Sequence, residues 1–215
     1  MIRQYLLISA IAACFIVSCA TTKHTELSSP EQHDPLSRIT AKQLFDHGMS
    51  LSHHGDYLRA EQYLAASMDK GYPESKVVPA LVEVCVLSSR LPSAVQYAEP
   101  FLERHPRLWS LRLVLASVYY SLGRYASSKR ELYMAIEDAP KEPASAHYLL
   151  AMNFREEKNE EEIKVHAKRY LELAPKGIHA EQAEQLIRFP LKAAAEDLQQ
   201  GPIRLESQQG RDDEQ

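Results

Sequence analysis

Cysteine and histidine are the side chains of this sequence best suited to nucleophilic or metal chemistry, and their spacing argues against both uses. The nine histidines are scattered. The one adjacent pair, His53 and His54, would point apart on a helix rather than converge on an ion. No HExxH, GxSxG or CxxC pattern occurs, and no glycine-rich loop that could cradle phosphate. The expectation is a protein that is not an enzyme and that carries no metal and no cofactor. Of three cysteines, Cys14 and Cys19 belong to an N-terminal apolar stretch. Cys85 falls where its segment calls for a buried residue and is read as a small hydrophobe. A processed chain would then hold no cysteine pair for a disulfide, so stability must come from packing. The acidic run from Glu156 to Glu162 is read as a solvated turn, with Glu160, Glu161 and Glu162 favouring the positive end of the following helix.

At the N-terminus, Met1-Ile2-Arg3-Gln4 precedes a largely apolar run from Tyr5 to Val17 and then Ser18-Cys19-Ala20. A basic start, about a dozen apolar residues and a small-residue cleavage site read as an export signal, shorter than the ~20 residues of a spanning helix. Ile16-Val17-Ser18-Cys19 resembles a bacterial lipobox. That resemblance implies that residues 1–18 are removed and that Cys19 becomes the lipid-bearing first residue. Ile11-Ala12-Ala13-Cys14 fits the same pattern, but cleavage there would leave Phe15-Ile16-Val17 exposed at the new terminus. Ala20 rather than Asp after the cysteine implies, by the enterobacterial sorting rule, the periplasmic side of the outer membrane.

The full chain carries 25 basic and 29 acidic residues, and removing residues 1–18 takes away only Arg3, leaving 24 − 29 = −5. A mildly acidic domain without a basic block offers nucleic acid no electrostatic footprint. Residues 19–37 lack apolar periodicity and read as a flexible tether. Residues 200–215 read as a disordered tail.

Between them, residues 38–199 must supply the folded domain, and its organisation is clearest from 109 to 142. Leu115, Tyr119 and Leu122 recur at helical spacing, Gly123 interrupts, Ser128, Leu132 and Ala135 repeat the spacing, and Pro140 closes the unit. Thr40 with Gln43 three residues on forms a capping box that would start the first helix. Leu44, Gly48, Gly55, Ala60, Leu64 and Ser67 occupy the signature places two units earlier. Related units run over 41–74, 75–108, 109–142 and 144–177. In the second, Ser89 replaces the turn glycine, and Pro100 predicts a kink in the second helix. Residues 178–199, with Ala180, Ala183, Leu186 and Ile187 on one face, predict a capping helix that Pro190 kinks or ends.

These residues, with Trp109, Ala116 and Tyr125, resemble the tetratricopeptide repeat. The resemblance implies an all-α, right-handed superhelical solenoid of about four helix pairs plus the C-terminal capping helix. It also implies a partner-binding groove lined by the first helices: Phe45 and Met49, Glu83 and Val86, Leu113, Ser117 and Tyr120, and Tyr148, Met152 and Arg155. The carboxylate clamp of chaperone-type members is absent, because Phe45, Met49, Ala80, Ser110 and Val114 stand in its places. An apolar and aromatic groove suits an amphipathic helix or an apolar peptide. Taken with the lipobox, the expectation is a lipid-anchored scaffold that binds other envelope proteins, similar to pilotin-type factors that assist pilus, secretion or motility complexes. An adaptor of peptidoglycan enzymes or outer-membrane protein assembly, and a self-assembling scaffold filled by a second copy, are the alternatives.

Overall fold

The computed structural model describes residues 39–191, which form helices joined by short turns, with no strand among the described residues. The expected signal (1–18), tether (19–37), tail (200–215) and last turns of the capping helix (192–199) lie outside the described residues. In chain order the helices are α1 (Ala41–His53), α2 (Tyr57–Asp69), α3 (Glu74–Leu87), α4 (Leu91–Arg104), α5 (Trp109–Ser121), α6 (Tyr125–Asp138), α7 (Ala144–Glu156), α8 (Glu160–Leu173) and α9 (Ala180–Arg188). None of them is long and apolar enough to cross a membrane. Each helix packs mainly on its chain neighbours, so the fold is a stack of four hairpins with α9 against α8. This is the all-α solenoid that the repeat spacing predicts.

Each hairpin turns in the same way. Gly55, Ser89, Gly123 and Lys158 follow the C-caps of α1, α3, α5 and α7, and all four have positive φ, between 57° and 78°. The next amide in each case reaches back to the third-last helical carbonyl: Asp56 to Leu51 at 2.9 Å, Arg90 to Cys85 at 2.8 Å, Arg124 to Tyr119 at 2.8 Å and Asn159 to Phe154 at 3.0 Å. That is a Schellman closure used four times, and it satisfies carbonyls that the helix end leaves open. The first three positions are 34 residues apart and the fourth is 35, which locates the single inserted residue before Lys158. Helix starts vary more. Thr40 makes the expected capping box with Gln43, and Asp56 and Asn159 cap α2 and α8 with their side chains. Glu160, Glu161 and Glu162 occupy the first turn of α8, at the positive end of its dipole.

Packing proceeds hairpin by hairpin. Leu64, Val77, Leu81 and Val84 join the first two units, and Val82, Cys85, Phe101, Leu115 and Tyr119 join the second to the third. Leu113, Leu132, Leu149, Leu150, Ile163, Tyr170, Ala183 and Leu186 join the third, the fourth and α9. Gly48 permits the closest approach: a Cβ there would lie 2.7 Å from Leu64 Cγ and 3.2 Å from the Ala60 carbonyl.

Pro100 lies inside α4, as the sequence places it, and the helix runs through it to Arg104. Only one backbone amide is lost to proline, and Phe101 and Leu102, both buried, keep the following turn against the core. Within the described residues the capping helix is Ala180–Arg188, and Phe189 leaves helical geometry (φ −138°, ψ 65°) just ahead of Pro190.

Candidate functional site

The first helix of each hairpin presents the positions expected to line the groove. On α1, Phe45 and Met49 are half-buried, and Phe45 stacks on Tyr72 with centroids 4.7 Å apart. Glu83 and Val86 on α3 are half-buried, as are Ser117 and Tyr120 on α5. Ser117 donates its hydroxyl to the Val114 carbonyl at 2.7 Å, leaving a small, self-satisfied surface there. Tyr120 is tilted against Tyr125 at 5.7 Å and donates to Glu156 Oε1 at 3.4 Å. Burial pushes its phenol up to about 12, Arg155 pulling against that shift and Glu156 adding to it. Tyr120 therefore stays a neutral hydrogen-bonding ring held between an acid and a base.

Four of the expected groove residues lie deeper than a docking surface needs. Leu113 is 1% exposed and belongs to the core between the third and fourth hairpins. Tyr148, Met152 and Arg155 are 4%, 5% and 8% exposed. The Tyr148 ring lies parallel to His179 at 4.0 Å and tilts against Tyr170 at 5.6 Å, so it ties α7 to α8 and to the start of α9. The half-buried part of the groove is thus the part lined by α1, α3 and α5.

Sequence reasoning missed the polar contacts inside the stack. Arg112 Nη1 meets Glu131 Oε2 at 2.5 Å, and Arg112 Nε donates to the Pro106 carbonyl at 2.8 Å. Tyr97 donates to Glu61 at 3.0 Å, while Arg90 pairs with the same carboxylate. Between α7 and α8, His147 Nε2 lies 2.6 Å from Glu142 and its Nδ1 lies 2.9 Å from His166 Nδ1. Glu142 also binds Arg169, whose hydrogen bond, ahead of that from His147, holds the carboxyl down at about 2. An ionised carboxylate only accepts, so His147 carries its proton on Nε2, and His166 then donates from Nδ1 to His147. Burial, with a smaller contribution from His147, pushes His166 down to about 4. No spacing signal could have found this chain, because its members come from a loop and two helices.

Among the described residues no group of three or more His, Cys, Asp or Glu side chains could hold a metal ion. Cys85 is fully buried, and burial raises its thiol to about 11, away from a reactive thiolate. His53 and His54 are exposed on the last turn of α1 and beside it.

The fold is that of tetratricopeptide-repeat proteins, as solved structures show. YrrB, described as a tetratricopeptide-repeat protein with an unusual peptide-binding site, is similar at 16% identity and a TM-score of 0.61, over 68% of this chain and 75% of its own. The pilF protein of Pseudomonas aeruginosa is similar at 21% identity and a TM-score of 0.56, over 69% of this chain and 68% of its own. MamA from AMB-1 is similar at 22% identity and a TM-score of 0.56, over 67% and 78%. No family model and no curated protein matches the sequence.

Proposed function

We propose that the protein is a lipid-anchored, non-enzymatic scaffold of the bacterial envelope that binds a protein partner along its first helices. The finer reading is an assembly factor for an outer-membrane pilus, secretion or motility complex. The observation that carries the binding role is the strip of half-buried Phe45, Met49, Val86 and Tyr120 on successive first helices. Aromatic and methionine side chains with both apolar bodies and polar edges are the usual anchors of an interface. Glu83, in the same strip, would fix the direction of a bound segment more than its affinity. The anchor rests on the lipobox resemblance at Cys19.

The test uses tagged full-length protein in envelope membranes, crosslinked and captured. Tyr120→Ala is expected to weaken capture of the partner by at least ~2 kcal/mol, and Glu137→Ala, exposed on α6, by less than ~0.5 kcal/mol. Equal losses from both variants, or none from Tyr120→Ala in a folded protein, would move the site off the groove. Cys19→Ser is expected to abolish firm membrane association, since only multiple acyl chains hold a protein stably.

A further inference from the structure

The repeat units do not open alike. Those starting at 41, 75 and 144 begin with the small residues Ala41, Ser75 and Ala144, whereas the unit starting at 109 begins with Trp109, the chain's single tryptophan. That half-buried ring lines a cavity of about 300 Å³ between the start of α5, the loop from α6 to α7 and the end of α8. Leu113, Pro140, Pro143 and Leu173 complete an apolar wall, and the polar side chains of the lining are Lys141, Glu142 and Ser145. Ser145 is 5% exposed, and among the described residues its hydroxyl has no hydrogen-bond partner. A hydroxyl so far withdrawn from water is costly unless something in the cavity meets it. Glu142 adds no unmatched charge, since Arg169 binds both of its oxygens and His147 one of them.

The same cavity receives the start of α7. Pro143 is the N-cap and offers no side-chain acceptor, so the amides of Ala144 and Ser145 have no intrahelical partner at the positive end of a 13-residue helix. Lys141 is exposed beside them, and Arg107 and Lys176 hold the matching place in the adjoining loops, each directly after a proline. Among the described residues none of these three cations has an ion pair. We propose that the cavity binds an apolar group that ends in a free carboxylate, its body against Trp109 and Leu173 and its carboxylate at Ser145, the α7 amides and Lys141. Each part of the lining has a use in that arrangement. A carboxylate accepts from the hydroxyl and the amides together, and such charge-assisted bonds are about twice as strong as neutral ones. It brings a single charge, which suits a mostly apolar lining with one lysine better than the heavier charge of a phosphate does. The volume is at the small end of ligand pockets and admits about one apolar residue rather than a long acyl chain. The ligand is therefore the last residue of a polypeptide or a small acid of the same form. The site goes beyond the groove reading and shares only Leu113 with it, so either can fail alone.

The only tryptophan of the chain lines the cavity, so its fluorescence reads this site directly. The full-length protein is titrated with N-acetyl-leucine and with a tetrapeptide of three alanines and a C-terminal leucine, each as the free acid and as the amide, with calorimetry as an independent measurement. The free acids are expected to bind saturably at millimolar concentration, and the amides about tenfold more weakly. Saturation by both acids would mark a chain terminus as an acceptable ligand, and saturation by N-acetyl-leucine alone would mark a small acid. Lys141→Ala and Ser145→Ala are each expected to weaken binding of the acid about three- to tenfold with helical circular dichroism unchanged. Lys168→Ala, which removes an exposed charge from α8, is expected to leave it unchanged. Equal affinity for acid and amide would overturn the proposal, as would acid binding that survives both Lys141→Ala and Ser145→Ala. The absence of saturable binding of any of the four probes by fluorescence and by calorimetry would overturn it as well.

Discussion

Arg112 and Glu131 face each other across the third hairpin at 2.5 Å, with both side chains only 6% exposed. Charges so far from water are tolerated because each has several partners: Arg112 also donates to the Pro106 carbonyl, and Glu131 also accepts from Arg130. Removing one member leaves the other buried without its closest opposite charge. Glu131→Ala is therefore expected to cost about 3 to 5 kcal/mol, more than an ordinary surface ion pair by several fold. Replacing both residues, as in Arg112→Met with Glu131→Leu, is expected to restore most of that loss. Urea denaturation of the two single variants and the double variant measures it. A double variant no more stable than Glu131→Ala would show that packing, and not the stranded charge, carries the cost.

The four hairpin turns offer a second test, because two of them spend strain that the other two avoid. Ser89 and Lys158 hold φ of 57° and 58° where Gly55 and Gly123 hold 78° and 70°. A residue with a Cβ in that region costs about 1 to 2 kcal/mol, offset in part by the extra backbone entropy that glycine loses on folding. Ser89→Gly and Lys158→Gly are each expected to stabilise the fold by about 0.5 to 1 kcal/mol, and Gly123→Ala to destabilise it by about 1 kcal/mol. Thermal melts of the three variants decide the signs. Destabilisation by both glycine substitutions would mean that the side chains of Ser89 and Lys158 supply contacts that outweigh the strain.

These turns also show why the repeat architecture was legible in the sequence and the interior polar contacts were not. A hairpin reports itself locally: apolar residues three and four apart, a residue that accepts positive φ, and a proline after the second helix lie within one 34-residue window. Thr40 with Gln43 and the acids opening α8 are equally local, and both stand where expected. Pro100 sits inside α4, and the buried Phe101 and Leu102 hold the turn that follows it against the core. The chain from Arg169 through Glu142 and His147 to His166 depends on how α7 crosses α8, which no spacing encodes. Burial of Tyr148 and Met152 was hidden for the same reason. Tyr148 packs on His179 and Tyr170, contacts that the helical register of α7 does not encode.

Gly48 sets two opposing effects against each other. Alanine in a helix interior is favoured over glycine by about 1 kcal/mol. Here the added methyl would meet Leu64 Cγ at 2.7 Å and the Ala60 carbonyl at 3.2 Å, and Leu64 is fully buried with nowhere to move. Overpacking of about 1 to 3 kcal/mol is expected to win, giving Gly48→Ala a net loss of roughly 1 kcal/mol. Adding Leu64→Ala should make the glycine substitution neutral or favourable within that background. A double-mutant cycle in denaturant measures the coupling, and additive effects would mean that the two helices part rather than repack.

Acid sensitivity follows from the buried imidazoles between α7 and α8. His166 stacks on Phe154 at 5.5 Å, is tilted against Tyr133 of α6 at 6.3 Å, and lies 3.6 Å from Glu162 on its own helix. Across from it, His147 faces Glu142 and, at longer range, Arg169 and Glu172. The folded protein holds His166 near 4 against an ordinary 6.5, with burial as the larger cause. A depressed histidine is neutral when folded and takes up its proton more readily when unfolded, so stability falls as pH drops from 6.5 towards 4. The full effect is roughly 3 kcal/mol, reached only below the folded value. Burial lowers His147 as well, against the opposing pull of Glu142, and that net lowering adds to the loss of stability in acid. Glu142, held down at about 2 chiefly by Arg169, contributes stability that is lost as pH falls from 4.5 towards 2, discounted because the pair is largely solvated. The melting temperature is thus expected to decline steadily between pH 6.5 and 4.5. His166→Phe, which keeps the stack on Phe154, is expected to flatten much of that decline while leaving the fall below pH 4.5. Melts at half-unit pH steps test this, and an imidazole of His166 that titrates near 6.5 by NMR in the folded protein would refute it.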